Sequence, residues 1–309
     1  MDIFRWRGQS SAPLVDKGRF RTGRFAIPYR CYGRAGATVV CVNGALQTMA
    51  VWLAAVKRFG PEFRFLLFDS PGMARNGITS GSREVTMEEQ VDALRALVEQ
   101  RVSRDAPVCL VGASWGALVA AMYAARHPED MDGMILGSFS LKPSPRLMAI
   151  MEEACGLYAR DRQHKGARLI IDAFGQRLPP SFKRRIAHQI EMLSPGQFES
   201  FRHHLQTLVE AGPLTDYVDL GGIRARTLVI NGQEDDLWTD EDLQTIRCVM
   251  PRARIELVPG AGHFLHLEDE RIYARYAAFL HEVARGLAPA SANPGLTARL
   301  ALLPEANAG

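Results

Sequence analysis

One serine stands between small residues at a place suited to nucleophilic chemistry. The stretch Gly112-Ala113-Ser114-Trp115-Gly116 ends the apolar run APVCLVGA (106–113) and begins a helical pattern. A Gly-x-Ser-x-Gly between a buried strand and a helix puts the serine on a sharp turn, where only small neighbours fit and the hydroxyl is exposed. The pattern predicts that Ser114 is a nucleophile for acyl transfer. The alternative is an ordinary loop serine between two glycines.

A nucleophilic serine needs a general base, and the best candidate is His263. It follows the Gly-Ala-Gly turn in GAGHFLHLED (260–269), so its ring could reach back over the edge of a sheet. His266, three residues later, is the other histidine of this segment and is less well placed. The order serine, acid, histidine along the chain is the one that serine hydrolases with a strand-turn-helix nucleophile use.

The acid that orients the histidine should follow the preceding strand. RTLVING (226–232) is such a strand, and Glu234, Asp235 and Asp236 come directly after it. Neighbouring acids usually mark a solvated loop, but the carboxyl ends of parallel strands are where open α/β sheets build their sites. We choose Asp235, three residues after the strand, and keep Asp236 as the fallback.

An acyl-transfer site also needs two N–H donors for the oxyanion. The backbone N–H of Trp115 lies at the start of the helix after the nucleophile, near the positive end of its dipole. The second candidate is the N–H of Ala45, which follows the strand ATVVCVNG (37–44) through a glycine that allows close approach. In isolation, Asn43-Gly44 would equally be an ordinary turn.

The elements that must position these residues alternate between strand and helix. Buried strands are predicted at 37–44, 63–69, 106–113, 132–140, 226–232 and 253–259. Helices are predicted near 50–59, from 87 to 102 after a capping box at Thr86 and Glu89, after Ser114, around 240–250 and from 270 to 286. This alternation predicts an α/β fold, a mostly parallel sheet flanked by helices.

The alternation is interrupted once. Residues 142–215 contain no convincing strand and read as several amphipathic helices separated by Pro and Gly. We therefore predict a core formed by 1–141 and 216–287, an inserted helical cap at 142–215, and a tail at 288–309 that is poor in structure because it is rich in Ala and Pro.

Composition restricts the function classes. The hydrophobic content of 47% and charged content of 23% are typical of a globular protein, and a net charge of +3 is too small to indicate nucleic-acid binding. No apolar run reaches the roughly 18 residues that cross a bilayer, and the N-terminus lacks a signal-peptide core. Five scattered cysteines without a C-x-x-C pair favour reduced thiols in the cytoplasm and no zinc site.

Taken together, these motifs resemble the α/β-hydrolase superfamily over nearly the whole chain before the tail. Within it, several segments look like one small family, which comprises the synthase of the hydroxyalkanoyloxyalkanoate half of rhamnolipids and the related 3-hydroxyacyl carrier-protein transacylase or thioesterase. The segments are VNGALQTMAVW (42–52), LLFDSP (66–71), ASWG (113–116), LPPSFK (178–183), INGQED (230–235) and GAGHFLHLE (260–268).

The two relatives imply different products. The transacylase carries a His-x4-Asp element in its cap, whereas His188 here is followed by Gln-Ile-Glu-Met-Leu, and this departure favours the synthase. His127 and Asp132 have a similar spacing but fall at the end of the helix after the nucleophile, where a loop role is expected. The resemblance implies 3-hydroxyacyl thioester substrates, carried by acyl carrier protein or coenzyme A, and no metal or redox cofactor.

Charge in the cap supports an acidic partner. Residues 142–211 hold eleven Lys and Arg against seven Asp and Glu, and Lys183, Arg184 and Arg185 follow a double proline. Such a run is usually a solvated helix face, but it would also steer acyl carrier protein or the phosphates of coenzyme A. The sequence thus predicts an acyltransferase that joins two 3-hydroxyacyl units. A thioesterase, a general ester hydrolase and a non-catalytic binding protein of the same fold are the alternatives.

Overall fold

The computed structural model describes residues 12–74, 77–210 and 212–286. The predicted tail at 288–309 lies outside these residues. In the part of the chain described, no helix is long and apolar enough to cross a bilayer.

A single eight-stranded sheet forms the centre of the fold. Its strands are β1 (Leu14–Thr22), β2 (Phe25–Tyr32), β3 (Thr38–Val42), β4 (Arg64–Phe68), β5 (Val108–Ala113), β6 (Gly133–Gly137), β7 (Arg226–Gly232) and β8 (Arg254–Val258). They lie in the order β1-β2-β4-β3-β5-β6-β7-β8, with β3 to β8 parallel. This confirms the predicted α/β architecture with a mostly parallel sheet.

Helices cover both faces of the sheet, which explains why its central strands are continuously apolar. The core helices are α1 (Leu53–Phe59), α2 (Met87–Arg101), α3 (Trp115–Arg126), α8 (Asp240–Val249), α9 (Leu265–Glu268) and α10 (Arg271–Ala284). On one face, α2 and α3 bury side chains such as Leu94 and Met122. On the other, α1 and α10 bury Val56 and Phe279. The capping box expected at Thr86 and Glu89 begins α2.

Two elements have no counterpart in the sequence analysis. The first is an antiparallel hairpin of β1 and β2, in a segment for which we made no prediction. Most of β1 is exposed, so its sequence is charged and lacks the apolar run of a buried strand. The hairpin turns at Gly23, whose φ of 49° suits glycine. The second is the short helix α9, which begins two residues after His263.

Four helices lie within the insertion predicted at 142–215. They are α4 (Pro145–Ala159), α5 (Gln163–Phe174), α6 (Pro180–Glu191) and α7 (Pro195–Glu210), called the cap helices below. Ser144 caps α4, and Pro145 occupies its first turn. The cap helices share a small apolar core of their own, which includes Met151, Ile171 and Phe201 and also contacts Leu46 and Met73 of the core loops.

Candidate active site

Ser114 lies on a strained turn between β5 and α3. Its φ of 52° and ψ of −121° are unusual for a residue with a side chain, and its N–H donates to the Gly137 carbonyl at 2.9 Å. A Cβ atom at Gly116 would lie 2.4 Å from the Val42 carbonyl oxygen, and one at Gly112 would lie 2.3 Å from the Gly116 oxygen. The turn therefore needs glycine on both sides of the serine.

The structure brings Ser114, His263 and Asp235 together in one chain of hydrogen bonds. His263 Nε2 lies 3.0 Å from Ser114 Oγ, and His263 Nδ1 lies 2.9 Å from Asp235 Oδ2. The Asp235 side chain is 1% exposed, and its other oxygen accepts from the Leu237 N–H at 3.0 Å. Since a carboxylate only accepts, Nδ1 carries the proton and Nε2 is free to accept from the serine. This is the arrangement by which a histidine activates a hydroxyl.

The loop of His263 is fixed from both sides by Glu268. The Glu268 carboxylate accepts from the N–H groups of Gly262 at 2.6 Å and Phe264 at 3.1 Å. Ser138 Oγ donates to the His263 carbonyl at 2.6 Å. Burial lowers the pKa of His263, but the charge and hydrogen bond of Asp235, with a smaller effect of Glu268, outweigh it and leave that pKa above its usual value.

The neighbouring acids point elsewhere. Asp236 is 52% exposed and pairs with Arg146 of α4, and Glu234 pairs with Arg177, which follows α5. The three consecutive carboxylates thus divide into one buried beside the histidine and two on the surface that bind cap arginines.

The other histidine of this segment, His266, belongs to the apolar core. It is buried, and its ring stacks on Trp52 with centroids 4.8 Å apart. Burial lowers its pKa to about 4, so the ring is neutral at physiological pH.

Both candidate oxyanion donors lie beside the serine, since Ala45 and Trp115 line the same cavity as Ser114 and His263. The Ala45 loop is anchored by Asn43, whose amide donates to the Phe68 carbonyl at 2.8 Å and accepts from Trp52 Nε1 at 2.9 Å. These two hydrogen bonds anchor the loop after β3, which brings Ala45 to the cavity that Ser114 lines.

The cavity above Ser114 is apolar and is formed jointly by core and cap. Its volume is about 110 Å³, and about 830 Å³ when all the space between its walls and the open solvent at its mouth is included. Its walls are formed by apolar side chains of α4, α5, α7 and the core. These side chains are Leu118, Leu147, Met151, Ile170, Ile171, Phe174, Phe201 and Leu237. Gln47, Ser138 and Ser140 add polar groups. Such a lining suits an alkyl chain with a polar head at the nucleophile.

A second, more polar pocket also borders His263. Gln176, Arg177, Glu234 and Glu268 line it together with Asp235. His263 therefore borders both an apolar cavity and a polar one. Among the described residues, no group of three His, Cys, Asp or Glu side chains is placed to hold a metal ion.

The basic run of the cap, Lys183 to Arg185, lies on α6 and lines neither pocket beside His263. Arg184 and Arg185 are exposed and Lys183 is partly so, and the Arg185 guanidinium lies over the Phe182 ring at 5.4 Å. The pair His127 and Asp132 has a structural position: His127 ends α3, and Asp132 accepts from the Val108 N–H at 2.9 Å.

Sequence reasoning missed two residues beside the site. Gln90 of α2 and His204 of α7 are buried against the Trp115 indole. Both lie in amphipathic helical segments where a polar residue normally faces solvent, so only the three-dimensional packing reveals them.

Comparison with known proteins identifies the fold group. The model of the alpha/beta hydrolase family matches residues 39–275. The chain is 24% identical over 252 residues to the (R)-3-hydroxydecanoyl-ACP:CoA transacylase of Pseudomonas putida, covering 80% of this chain and 84% of that protein. It is 23% identical over 275 residues to a human monoacylglycerol lipase, covering 79% and 77%. Among solved structures, MGS-M2, an alpha/beta hydrolase enzyme from a deep-sea metagenome library, has a TM-score of 0.72 at 21% identity, covering 85% and 97%.

Proposed function

We propose that this chain joins two 3-hydroxyacyl units into a 3-(3-hydroxyalkanoyloxy)alkanoate. The chain belongs to the alpha/beta hydrolase family and is an enzyme of that superfamily. The observation that carries the proposal is the apolar cavity that opens onto Ser114. The similarity to proteins named as transacylases of a 3-hydroxyacyl thioester supports it.

In the first half-reaction, the Ser114 hydroxyl attacks the thioester carbonyl while His263 Nε2 takes its proton. Asp235 holds the ring in the required tautomer and stabilises the imidazolium. The N–H groups of Ala45 and Trp115 donate to the oxyanion. Collapse of the tetrahedral intermediate expels the carrier thiolate, which takes the proton from His263, and the acyl chain remains as an ester on Ser114.

In the second half-reaction, the 3-hydroxyl of another 3-hydroxyacyl unit attacks this ester. His263 takes the proton of that hydroxyl and returns it to Ser114 Oγ, and the ester-linked dimer leaves. No metal or redox cofactor takes part, and acyl carrier protein or coenzyme A serves only as the carrier. We place this reaction in the cytoplasm, where such thioesters are available.

Choice of acceptor decides between transfer and hydrolysis. A second alkyl chain held in the cavity gives its hydroxyl a high effective concentration beside the acyl-enzyme. The apolar walls contributed by α4, α5 and α7 oppose entry of water to the same place. The exposed basic residues of α6 are proposed to dock the acidic carrier.

Product analysis tests the proposal. Purified protein is given 3-hydroxyacyl thioesters of graded chain length, and the products are identified by mass spectrometry, with Ser114→Ala as the inactive control. We expect the dimeric ester as the main product. Acyl thioesters without the 3-hydroxyl should load Ser114 but offer no acceptor, so the acyl-enzyme should accumulate and be seen in the intact-protein mass. Steady release of free acid from both substrate types would refute the synthase proposal.

A second function has its own support. The named relatives transfer 3-hydroxydecanoyl groups between ACP and CoA, and the polar pocket beside His263 offers a route for water or a thiol acceptor. In that case the same acyl-enzyme would pass its chain to CoA or to water. Formation of a 3-hydroxyacyl-CoA on addition of CoA, without dimer, would identify a transacylase, and free 3-hydroxy acid would identify a thioesterase.

A further inference from the structure

A closed group of three buried side chains joins the cap to the residue after the nucleophile. Trp115 begins α3, Gln90 lies on α2, and His204 lies on the cap helix α7. Their exposed fractions are 3%, 2% and 1%. The Trp115 indole N–H donates to Gln90 Oε1 at 3.0 Å, Gln90 Nε2 lies 3.2 Å from His204 Nε2, and the His204 ring stacks on the indole at 4.5 Å and 17°.

The chemistry of these groups determines which atom donates and which accepts in this triangle of Trp115, Gln90 and His204. An indole N–H only donates, so the atom of Gln90 that faces it is the carbonyl oxygen. The amide nitrogen of Gln90 then faces His204 and can only donate. His204 Nε2 must therefore be the unprotonated, accepting nitrogen of a neutral imidazole. In agreement, burial, with a smaller contribution from His203, lowers the pKa of His204 to about 3.

This arrangement is more specific than packing requires. His204 Nδ1 is buried with no hydrogen-bond partner among the described residues, which is unfavourable for stability. An apolar ring would stack on the indole without that penalty. The imidazole adds an acceptor for the Gln90 amide. Gln90 in turn accepts the hydrogen bond of the Trp115 indole N–H at the edge of the ring, and the His204 ring packs on the face of the same indole.

The fixed indole belongs to the residue whose backbone is proposed to stabilise the oxyanion. Trp115 N–H must point at the acyl oxygen, and an oxyanion donor works only over a narrow range of distance. The Ser114 turn is strained, so the start of α3 needs external support to keep its geometry. Phe201, three residues before His204 on the same helix, lines the acyl cavity, so α7 contacts both the substrate space and the indole.

We propose that Gln90 and His204 are positioning residues that hold the Trp115 N–H in place for the oxyanion, and that they do so only when α7 is seated on the core. This rests on the proposed acyl-transfer function of Ser114. It adds that the cap contributes to the chemical step itself, through Trp115, as well as to the shape of the cavity.

The test compares two probes in wild type, Gln90→Leu and His204→Phe. An alkyl trifluoromethyl ketone adds to the serine and forms an oxyanion, whereas the methyl ketone of the same chain length fills the cavity without forming a stable one. His204→Phe keeps the stacked ring and removes only the acceptor. His203→Phe, on the neighbouring and partly exposed position, is the matched control, and thermal melting checks the fold of each variant.

Removal of a whole oxyanion donor lowers kcat by about 10²–10³-fold, so displacement of the donor should lower kcat by about 10–100-fold. We expect losses of that size in kcat and in trifluoromethyl ketone affinity for both variants, with KM and methyl ketone affinity changed by less than about threefold. His203→Phe should match wild type. If Gln90→Leu does not fold, His204→Phe alone decides.

Two results would overturn the assignment. Equal losses of affinity for both ketones would mean that the triangle only shapes the cavity, and unchanged kcat with unchanged ketone affinities would mean that it does not reach the oxyanion site. In both cases, a wild-type protein that still forms the adduct with the trifluoromethyl ketone would keep the acyl-transfer proposal. A wild type that forms no adduct with the trifluoromethyl ketone would overturn the acyl-transfer proposal, and this inference with it.

Discussion

Replacing Asp235 by asparagine should reveal which carboxylate of the acid loop serves His263. In the wild type, Asp235 accepts the Nδ1 proton at 2.9 Å and leaves Nε2 free for Ser114. The Asn side chain can present its NH2 group to Nδ1, which stabilises the opposite tautomer. A proton on Nε2 then faces the serine hydroxyl, and the ring cannot act as its base.

The size of the effect follows from the chemistry of the pair. A wrong tautomer with intact geometry costs about 10⁴ in kcat in a serine protease, which corresponds to about 5.4 kcal/mol of transition-state stabilisation. Asp235 is 1% exposed, so water offers little compensation and we expect a loss of about 10³–10⁴. Asp236 and Arg146 are 52% and 46% exposed. Such a pair contributes about 1 kcal/mol or less, so Asp236→Asn should cost less than about fivefold.

The assay is the single-turnover rate of Ser114 acylation, measured by intact-protein mass with a 3-hydroxyacyl thioester. It separates the acylation step from acceptor attack, so the result does not depend on which product is released. Asp236→Asn is the matched control, because it makes the same chemical change one residue away. Near wild-type acylation in Asp235→Asn with a severe loss in Asp236→Asn would refute the assignment of the acid.

Three further predictions concern the surroundings of the site. Replacing Lys183, Arg184 and Arg185 by glutamine should lower the turnover of carrier-protein substrates several-fold but leave the turnover of a small neutral ester unchanged. Added salt should have the same effect as the mutations, since exposed charges are screened over about 8 Å at physiological ionic strength. Equal loss of both activities would mean that the cluster stabilises the fold. Glu268→Gln should move the acidic limb of the pH profile of kcat/KM to lower pH. His263 must be neutral to act as a base, and the Glu268 charge helps to raise the pKa of His263. A shift of this limb to higher pH would contradict the prediction. Gly116→Ala forces a Cβ to within 2.4 Å of the Val42 oxygen, so thermal melting should show a destabilisation of about 1–3 kcal/mol together with lost activity; an unchanged melting temperature would mean that the turn adapts.

The sequence predicts those parts of the molecule that local pattern determines. Continuous apolar runs mark β3 to β7, because these strands are buried on both faces. The requirement for glycine around Ser114 is equally local, since it arises from contacts with the adjoining strand and helix. Such features allow a candidate nucleophile, a candidate base and candidate donor loops to be predicted before the fold is known.

Other features depend on contacts between distant segments. The exposed strand β1 has no apolar run, and only its pairing with β2 makes it part of the sheet. Gln90 and His204 are 114 positions apart in the chain, and their side chains meet only because the folded chain brings these two positions of α2 and α7 together. A polar residue in an amphipathic helix gives no local sign that it is buried, so this contact cannot be inferred from either segment alone.

The acid loop joins the cap to the candidate site. Asp235 is buried beside His263, while its two neighbours, Glu234 and Asp236, are held by Arg177 and Arg146 of the cap region. A third contact joins His204 of α7 to Trp115, the residue after Ser114. The cap therefore touches the acid loop on both sides of Asp235 and the helix that follows Ser114. These contacts reach the loops to which we assign the chemistry. A change in cap sequence that alters the acyl chain accepted should therefore also alter the rate of the chemical step, and the two properties should not vary independently among cap variants.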